Sequence, residues 1–155
     1  MPTIIGATKI YEDIYLDDPK ENPSTPHWRV SFDDKNCDRL LNVVSNAFLR
    51  IPELTKTAEG GNEAESASAT DEIVDLQRRV IVAFIGDDGY NEVLTFIGDD
   101  EAPADPRESI IALGNVFAAF MNLLDERASS RKLRSVANSV CSQPKNSRPK
   151  KKARR

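Results

Sequence analysis

The chain has 155 residues, two cysteines and one histidine, and its charges are divided unevenly along its length. Residues 1–126 contain all 25 Asp and Glu residues but only 10 of the 21 Lys and Arg residues, and residues 127–155 contain the other 11. This length allows one domain with a small core and leaves little room for a deep catalytic cleft. An acidic body with a basic end is typical of a protein that binds a charged partner or associates with itself.

Several classes of protein are excluded by what the sequence lacks. No apolar run is long enough to span a membrane, and the start has no basic region of a signal peptide. Cys37 and Cys141 lie far apart, which favours a reducing cytoplasm over a disulfide framework. His27 has no second histidine or paired cysteines at metal-ligand spacing, and no serine or cysteine has a credible base. We therefore expect no catalytic residue, metal, cofactor or small-molecule substrate.

The first 33 residues predict a short β element. Residues 9–16 and 27–32 are rich in aromatic and β-branched side chains, and a polar stretch with three prolines separates them. Trp28, Val30 and Phe32 alternate with polar residues, so we expect two strands with one buried face.

The first helix is predicted to begin after an N-cap at Asp33 or Asp34 and to run to Pro52. Its apolar face is formed by residues at steps of three and four, namely Cys37, Leu40, Leu41, Val44, Phe48 and Ile51. Residues 55–70, TKTAEGGNEAESASAT, contain no large apolar side chain. That composition predicts a flexible acidic linker.

Three further helices are predicted after the linker. The second begins at Thr70, carries an apolar stripe that includes Ile73, Val80 and Phe84, and stops at residues 86–89, Gly-Asp-Asp-Gly. A short third helix covers residues 90–96 and closes at Gly98. The fourth begins at Pro106, because proline suits the first turn of a helix.

The fourth helix has the clearest apolar pattern in the chain. Its main face consists of Ile110, Leu113, Phe117, Phe120, Met121 and Leu124. Ile111, Val116 and Leu123 widen this face beyond what one neighbouring helix would cover. Either the helix is central to the bundle or part of its face awaits a partner. The predicted fold is thus mainly α, a bundle of about four helices over residues 34–140 after the β element.

Residues 141–155 are expected to form a disordered basic tail. Its cationic side chains are Lys145, Arg148, Lys150, Lys151, Lys152, Arg154 and Arg155. These could release counterions from nucleic acid, although no aromatic residues are interleaved for base stacking. The alternative is that the tail only keeps the protein soluble or rests against the acidic body.

The order of the segments resembles the small tail assembly chaperones of long-tailed bacteriophages. The similar regions are Val30–Ile51 and Ile73–Arg127, about half of the chain. In these chaperones the segment before the last helix often has an apolar helix end, a glycine, an acidic pair and a short helix that closes on Phe-x-Gly. Here these features extend from Ala83-Phe84-Ile85-Gly86 to Phe96-Ile97-Gly98.

The resemblance implies a binding function in the host cytoplasm. Family members hold the helical tape measure protein soluble until the tail tube polymerises around it, which needs an apolar groove for amphipathic helices. On this hypothesis the partner-binding residues are the six on the main face of the fourth helix, with Ile73, Val80 and Phe84 of the second. Two alternatives stay open: a nucleic-acid-associated or nuclear protein acting through the tail, and a small adaptor that self-associates through the fourth helix.

The lysine run at 150–152 also suggests programmed ribosomal frameshifting, by which such chaperones are often made in a second, longer form. We hypothesise that ribosomes slip on these codons. The nucleotide sequence is then expected to contain a slippery heptamer with an overlapping downstream frame. Mixed AAG codons with no such frame would contradict the hypothesis.

Overall fold

The computed structural model describes residues 2–5 and 9–142, with side chains as far as Ala128. Two strands, Tyr11–Tyr15 (β1) and His27–Ser31 (β2), are followed by three helices. The helices are Asp34–Gly60 (α1), Glu63–Ile97 (α2) and Ile110–Ser142 (α3), with a 3₁₀ turn at Pro106–Glu108. The chain divides into two compact units, residues 1–121 and 122–155. The fold is mainly helical with a small sheet, as expected, but the described part has three helices rather than four.

The predicted β element is confirmed as an antiparallel hairpin. Ile14 pairs with Trp28 and Glu12 with Val30 across the two strands. Successive side chains of a strand point to opposite faces, so Trp28, Val30 and Phe32 share one side. Val30 and Phe32 are buried there, and Trp28 is half-buried. The Trp28 indole N–H donates to Glu92 of α2 at 3.2 Å, which ties the hairpin to that helix.

Helix α1 begins as predicted and continues further than predicted. The Asp33 carboxylate caps it by accepting from the Asn36 N–H at 2.8 Å. The helix passes through Pro52, which we expected to end it, and runs on to Gly60. Proline removes one intrahelical hydrogen bond, but Leu54 on the next turn is buried, and its burial offsets part of that cost.

The flexible linker predicted at residues 55–70 is wrong, because this stretch forms a tight helical hairpin. Gly61 and Asn62 alone separate α1 from α2. The Asn62 side chain accepts from the Glu65 N–H at 2.8 Å, and the Glu65 carboxylate accepts from the Asn62 N–H at 3.1 Å. This capping box satisfies donors at the start of α2. A Cβ at Gly61 would lie 2.7 Å from the Thr57 carbonyl oxygen, so the turn requires glycine.

Small residues explain how a segment without large apolar side chains can pack. Ala69 is buried, and the Ser66 hydroxyl donates to the Ala58 carbonyl of α1 at 2.6 Å. Nearby, Arg50 of α1 donates to both carboxylate oxygens of Glu72 on α2, at 2.7 and 3.3 Å. This hydrogen bond from the guanidinium lowers the pKa of Glu72. Alanine and serine allow close approach of two helices, which composition alone does not reveal.

The second and third predicted helices are the two halves of α2, joined at Gly86. Gly86 has φ 82° and ψ 172°, a conformation that is open essentially to glycine only. The break frees carbonyl groups of the first half, and the Arg39 guanidinium donates to the Ala83 carbonyl oxygen at 2.7 Å. Both halves are buried, with Val80 and Ile81 before the break and Tyr90, Val93 and Leu94 after it.

We expect Gly86→Ala to destabilise the protein by about 1–3 kcal/mol, the cost of holding a side chain in this backbone conformation. Nothing lies within 4 Å of a Cβ at this position, so the cost is one of backbone alone. Gly60→Ala is the matched control, because it also meets no atom and has no positive φ. The control is expected to stay within about 0.5 kcal/mol of the parent. Urea unfolding measures both, and equal stabilities would contradict the assignment.

Candidate partner-binding site

His27 and Cys37, the histidine and the described cysteine, lie in different surroundings. The ring of His27 stacks on Tyr15, with centroids 5.2 Å apart. Cys37 is buried, and its thiol donates to the Phe32 carbonyl at 3.3 Å. Among the described residues, no group of three or more His, Cys, Asp or Glu side chains is placed to hold a metal ion.

The apolar face predicted as partner-binding on α3 is largely a core face. Leu113, Phe117, Phe120 and Leu124 are buried, with exposed fractions of 0, 7, 3 and 2%. Ile110 and Met121 are half-buried. Of the two alternatives left open by the sequence, the structure favours a helix whose apolar face is already covered. Four of these six residues are therefore not open to solvent, and their role in binding a partner stays a prediction.

The predicted stripe on α2 meets that face of α3 directly. Ile73, Val80 and Phe84 are all buried. The rings of Phe84 and Phe120 are stacked, with centroids 4.6 Å apart and planes inclined by 15°. The structure thus brings Phe84 and Phe120, one residue from each set of predicted site residues, into contact. Periodicity marks the face that is buried, but it does not identify what covers it.

A different apolar surface is open to solvent on α1. Phe48 and Leu49 are 60 and 74% exposed, and we call them the α1 patch. The buried side of α1 carries Cys37, Leu40, Val44, Ala47 and Leu54. Phe48 follows Ala47 by one residue, which rotates it about 100° away from that side. Our assignment of Phe48 to the buried face was wrong for this reason.

The α1 patch is bordered by charge. Arg50 follows it directly, and its guanidinium bonds with Glu72 and also lies 3.5 Å from Glu53. These three side chains remain substantially exposed, so the ion pairs are solvated and add little stability. The α1 patch thus lies beside charged side chains. Surfaces that bind another protein commonly have an apolar centre and a polar rim.

Further large apolar side chains are exposed elsewhere. Ile111 at the start of α3 is 83% exposed and lines a shallow cleft with Ile97 and Ile110. Near the beginning of the chain, Ile4 and Ile5 are 87 and 88% exposed. Sequence reasoning treated Ile111 as a widening of the α3 face and did not single out Ile4 and Ile5. No pattern in the sequence distinguishes these residues from core residues.

The remaining predicted site residues lie outside the described part. These are the cationic residues of the tail, from Lys145 to Arg155. No described helix has the length and apolar character needed to cross a membrane.

The contrast between α3 and the α1 patch predicts different responses to truncation. We expect Phe120→Ala to destabilise the protein by about 3–5 kcal/mol, because it removes a buried ring that stacks on Phe84. Phe48→Ala is expected to change the free energy of unfolding by no more than about 0.5 kcal/mol. Chemical denaturation of the two variants tests this pair. A larger loss for Phe48→Ala would show that the α1 patch is part of the core.

The chain matches no protein-family model, and it matches neither a curated protein nor a solved structure. The strongest candidate for a site is the open α1 patch.

Proposed function

We propose that this protein is a tail assembly chaperone of a long-tailed bacteriophage, acting in the host cytoplasm. It would bind the tape measure protein and keep it soluble until the tail tube polymerises around it. The observation that carries this proposal is the α1 patch, where two adjacent large apolar side chains stay in water. Other support comes from the order of the helical segments, including the helix end at Gly86 and the Phe96-Ile97-Gly98 ending of α2.

An exposed apolar pair on a helix suits a helical client. Single exposed apolar residues are ordinary on protein surfaces, whereas contiguous apolar patches more often mark places where a partner binds. A client helix offers apolar side chains at every third or fourth position, so many different sequences can contact the same patch. A small binding protein can therefore hold a long helical client at several places along its length.

The acidic surface supports the same role. Acidic residues occupy the exposed connections of the described part, among them Asp17 and Asp18 before β2 and Asp99, Asp100 and Glu101 before α3. Like charges on many bound copies would keep a loaded client in solution, and they would attract basic positions on it. The role needs no catalytic group, metal or cofactor.

A second candidate is favoured by the division of charge in the sequence. Residues 145–155 carry seven cationic side chains and no acidic one. A segment of this kind binds phosphate backbones with an affinity that falls steeply with salt. Against it, the acidic residues of the body would repel a polyanion at low salt.

Co-expression tests the chaperone function most directly. The client is a fragment of the long helix-rich reading frame expected downstream of this gene, chosen because it is insoluble alone. We expect the parent protein to keep this fragment in the soluble fraction. Phe48→Gln with Leu49→Gln should abolish that effect without unfolding the protein, because glutamine is a good helix former and both positions are exposed.

Two matched variants make the result specific. Ile111→Gln changes an equally exposed apolar residue on α3 and should leave the client soluble. Deletion of Lys145–Arg155 should also have no effect on the client. A client that stays insoluble with the parent protein would refute the chaperone function. Salt-dependent binding of DNA or RNA that is lost with the deletion would instead establish the second candidate.

A further inference from the structure

The interface between α2 and α3 contains a polar side chain that its surroundings only partly satisfy. Gln77 of α2 is 5% exposed. Its amide nitrogen donates to the carbonyl oxygen of Ile110 on α3 at 3.2 Å. Its amide oxygen is buried and has no hydrogen-bond partner. Such atoms are rare in folded proteins, and leaving one unsatisfied weakens the interface that contains it.

The hydrogen bond from Gln77 reaches the backbone of α3 rather than a side chain. Every helix presents backbone carbonyl groups, and each oxygen has two lone pairs. Gly114 lies beside this contact, where an added Cβ would be 3.6 Å from the Gln77 amide nitrogen. The α2 face therefore recognises features that many helices share: a main-chain carbonyl, a small residue at the crossing, and apolar side chains on either side.

The start of α3 is joined to α2 through the segment that precedes it and through one solvent-exposed ion pair. In the segment that precedes it, the Ala104 N–H donates to the Leu94 carbonyl at 2.9 Å. Arg107 pairs with Asp71 at 2.9 Å, but both side chains are more than half exposed. The α1–α2 hairpin has its own ties, through Arg50 and Glu72 and through Ser66 and Ala58. These α1–α2 contacts do not involve residues 110–121.

We propose that the α2 face around Gln77 and Phe84 is a second, deeper client site, and that residues 110–121 of α3 occupy it until a client helix displaces them. This inference rests on the proposed function and adds how that function is regulated. The occupant is an amphipathic helix with the pattern that α3 itself presents. That pattern is an apolar residue, a small residue directly after it, and aromatic residues four and seven positions on, as in Leu113, Gly114, Phe117 and Phe120.

Hydrogen exchange of the full-length protein tests the displacement step without any client. We expect amides of residues 113–121 to exchange at least about tenfold faster than those of Leu40–Ala47 and Leu76–Ile81, because α3 opens separately from the hairpin. Gln77→Leu removes the unsatisfied oxygen and keeps the side-chain size. It should slow exchange in residues 113–121 by about tenfold and leave that of α1 unchanged.

A matched control and a binding measurement complete the test. Thr95→Leu also adds a leucine to α2, but at an exposed position, and should leave α3 exchange at the parent rate. A fluorescent peptide with the sequence of residues 109–126 should bind the parent protein, and it should bind Gln77→Leu with about the same apparent affinity, because the substitution strengthens the peptide's contact by the same factor by which it closes the site. Exchange of α3 at the same rate as the hairpin, or a Gln77→Leu variant with parental exchange, would overturn the inference.

These outcomes separate the inference from the function on which it rests. If α3 opens as expected and the peptide binds, but the tape measure fragment stays insoluble, the chaperone function fails and the displaceable helix stands. If the parent protein solubilises the fragment but the amides of α3 exchange at the same rate as those of the α1–α2 hairpin, the displacement of α3 is refuted. The α1 patch then remains as the client site.

Discussion

The structure depends on the burial of α2, because the other elements of the first compact unit pack on it. Helix α1 contacts α2 through the Arg50–Glu72 pair. The β hairpin contacts it through the hydrogen bond from Trp28 to Glu92, and α3 packs on it where Phe120 stacks on Phe84. Val80, Ile81 and Val93 have no exposed surface. The break at Gly86 divides α2 into two helical segments, and both segments carry buried residues.

Burial on this scale leaves α2 with polar groups that it cannot satisfy. Among the described side chains, the two buried atoms without a hydrogen-bond partner are the Gln77 amide oxygen and the Tyr90 hydroxyl, and both are on α2. Burial also raises the pKa of Tyr90. Each such atom costs about 1–3 kcal/mol of stability. A core selected for stability alone would carry apolar residues at these positions, so the interface with α3 is weaker than its apolar side chains would allow.

The sequence predicted the strands, the N-cap at Asp33 and the helix ending at Gly98, because alternation and capping chemistry are local. It missed the helical hairpin at residues 55–70, since Ala69 and Ser66 pack through close backbone approach rather than through large side chains. It also could not distinguish Phe48 from the buried residues near it. One position along a helix turns a side chain by about 100°, and that turn decides whether Phe48 is buried or exposed. For the candidate site the limit was different. Leu113 and Phe120 have the pattern of a contact face, and no pattern says whether the contact is with the same chain.

A covered client site has a thermodynamic consequence that suits a temporary holder. When α3 occupies the α2 face most of the time, the apparent affinity for a client helix falls in proportion to the fraction of molecules that are open. A site that opens in one molecule in a hundred binds about a hundredfold more weakly than a permanently open one. The hydrogen bond from Gln77 to Ile110 lowers the fraction of open molecules, and the unsatisfied Gln77 oxygen raises it. On the proposed function, this balance would let a client be held while no competitor is present and released when a stronger partner takes it.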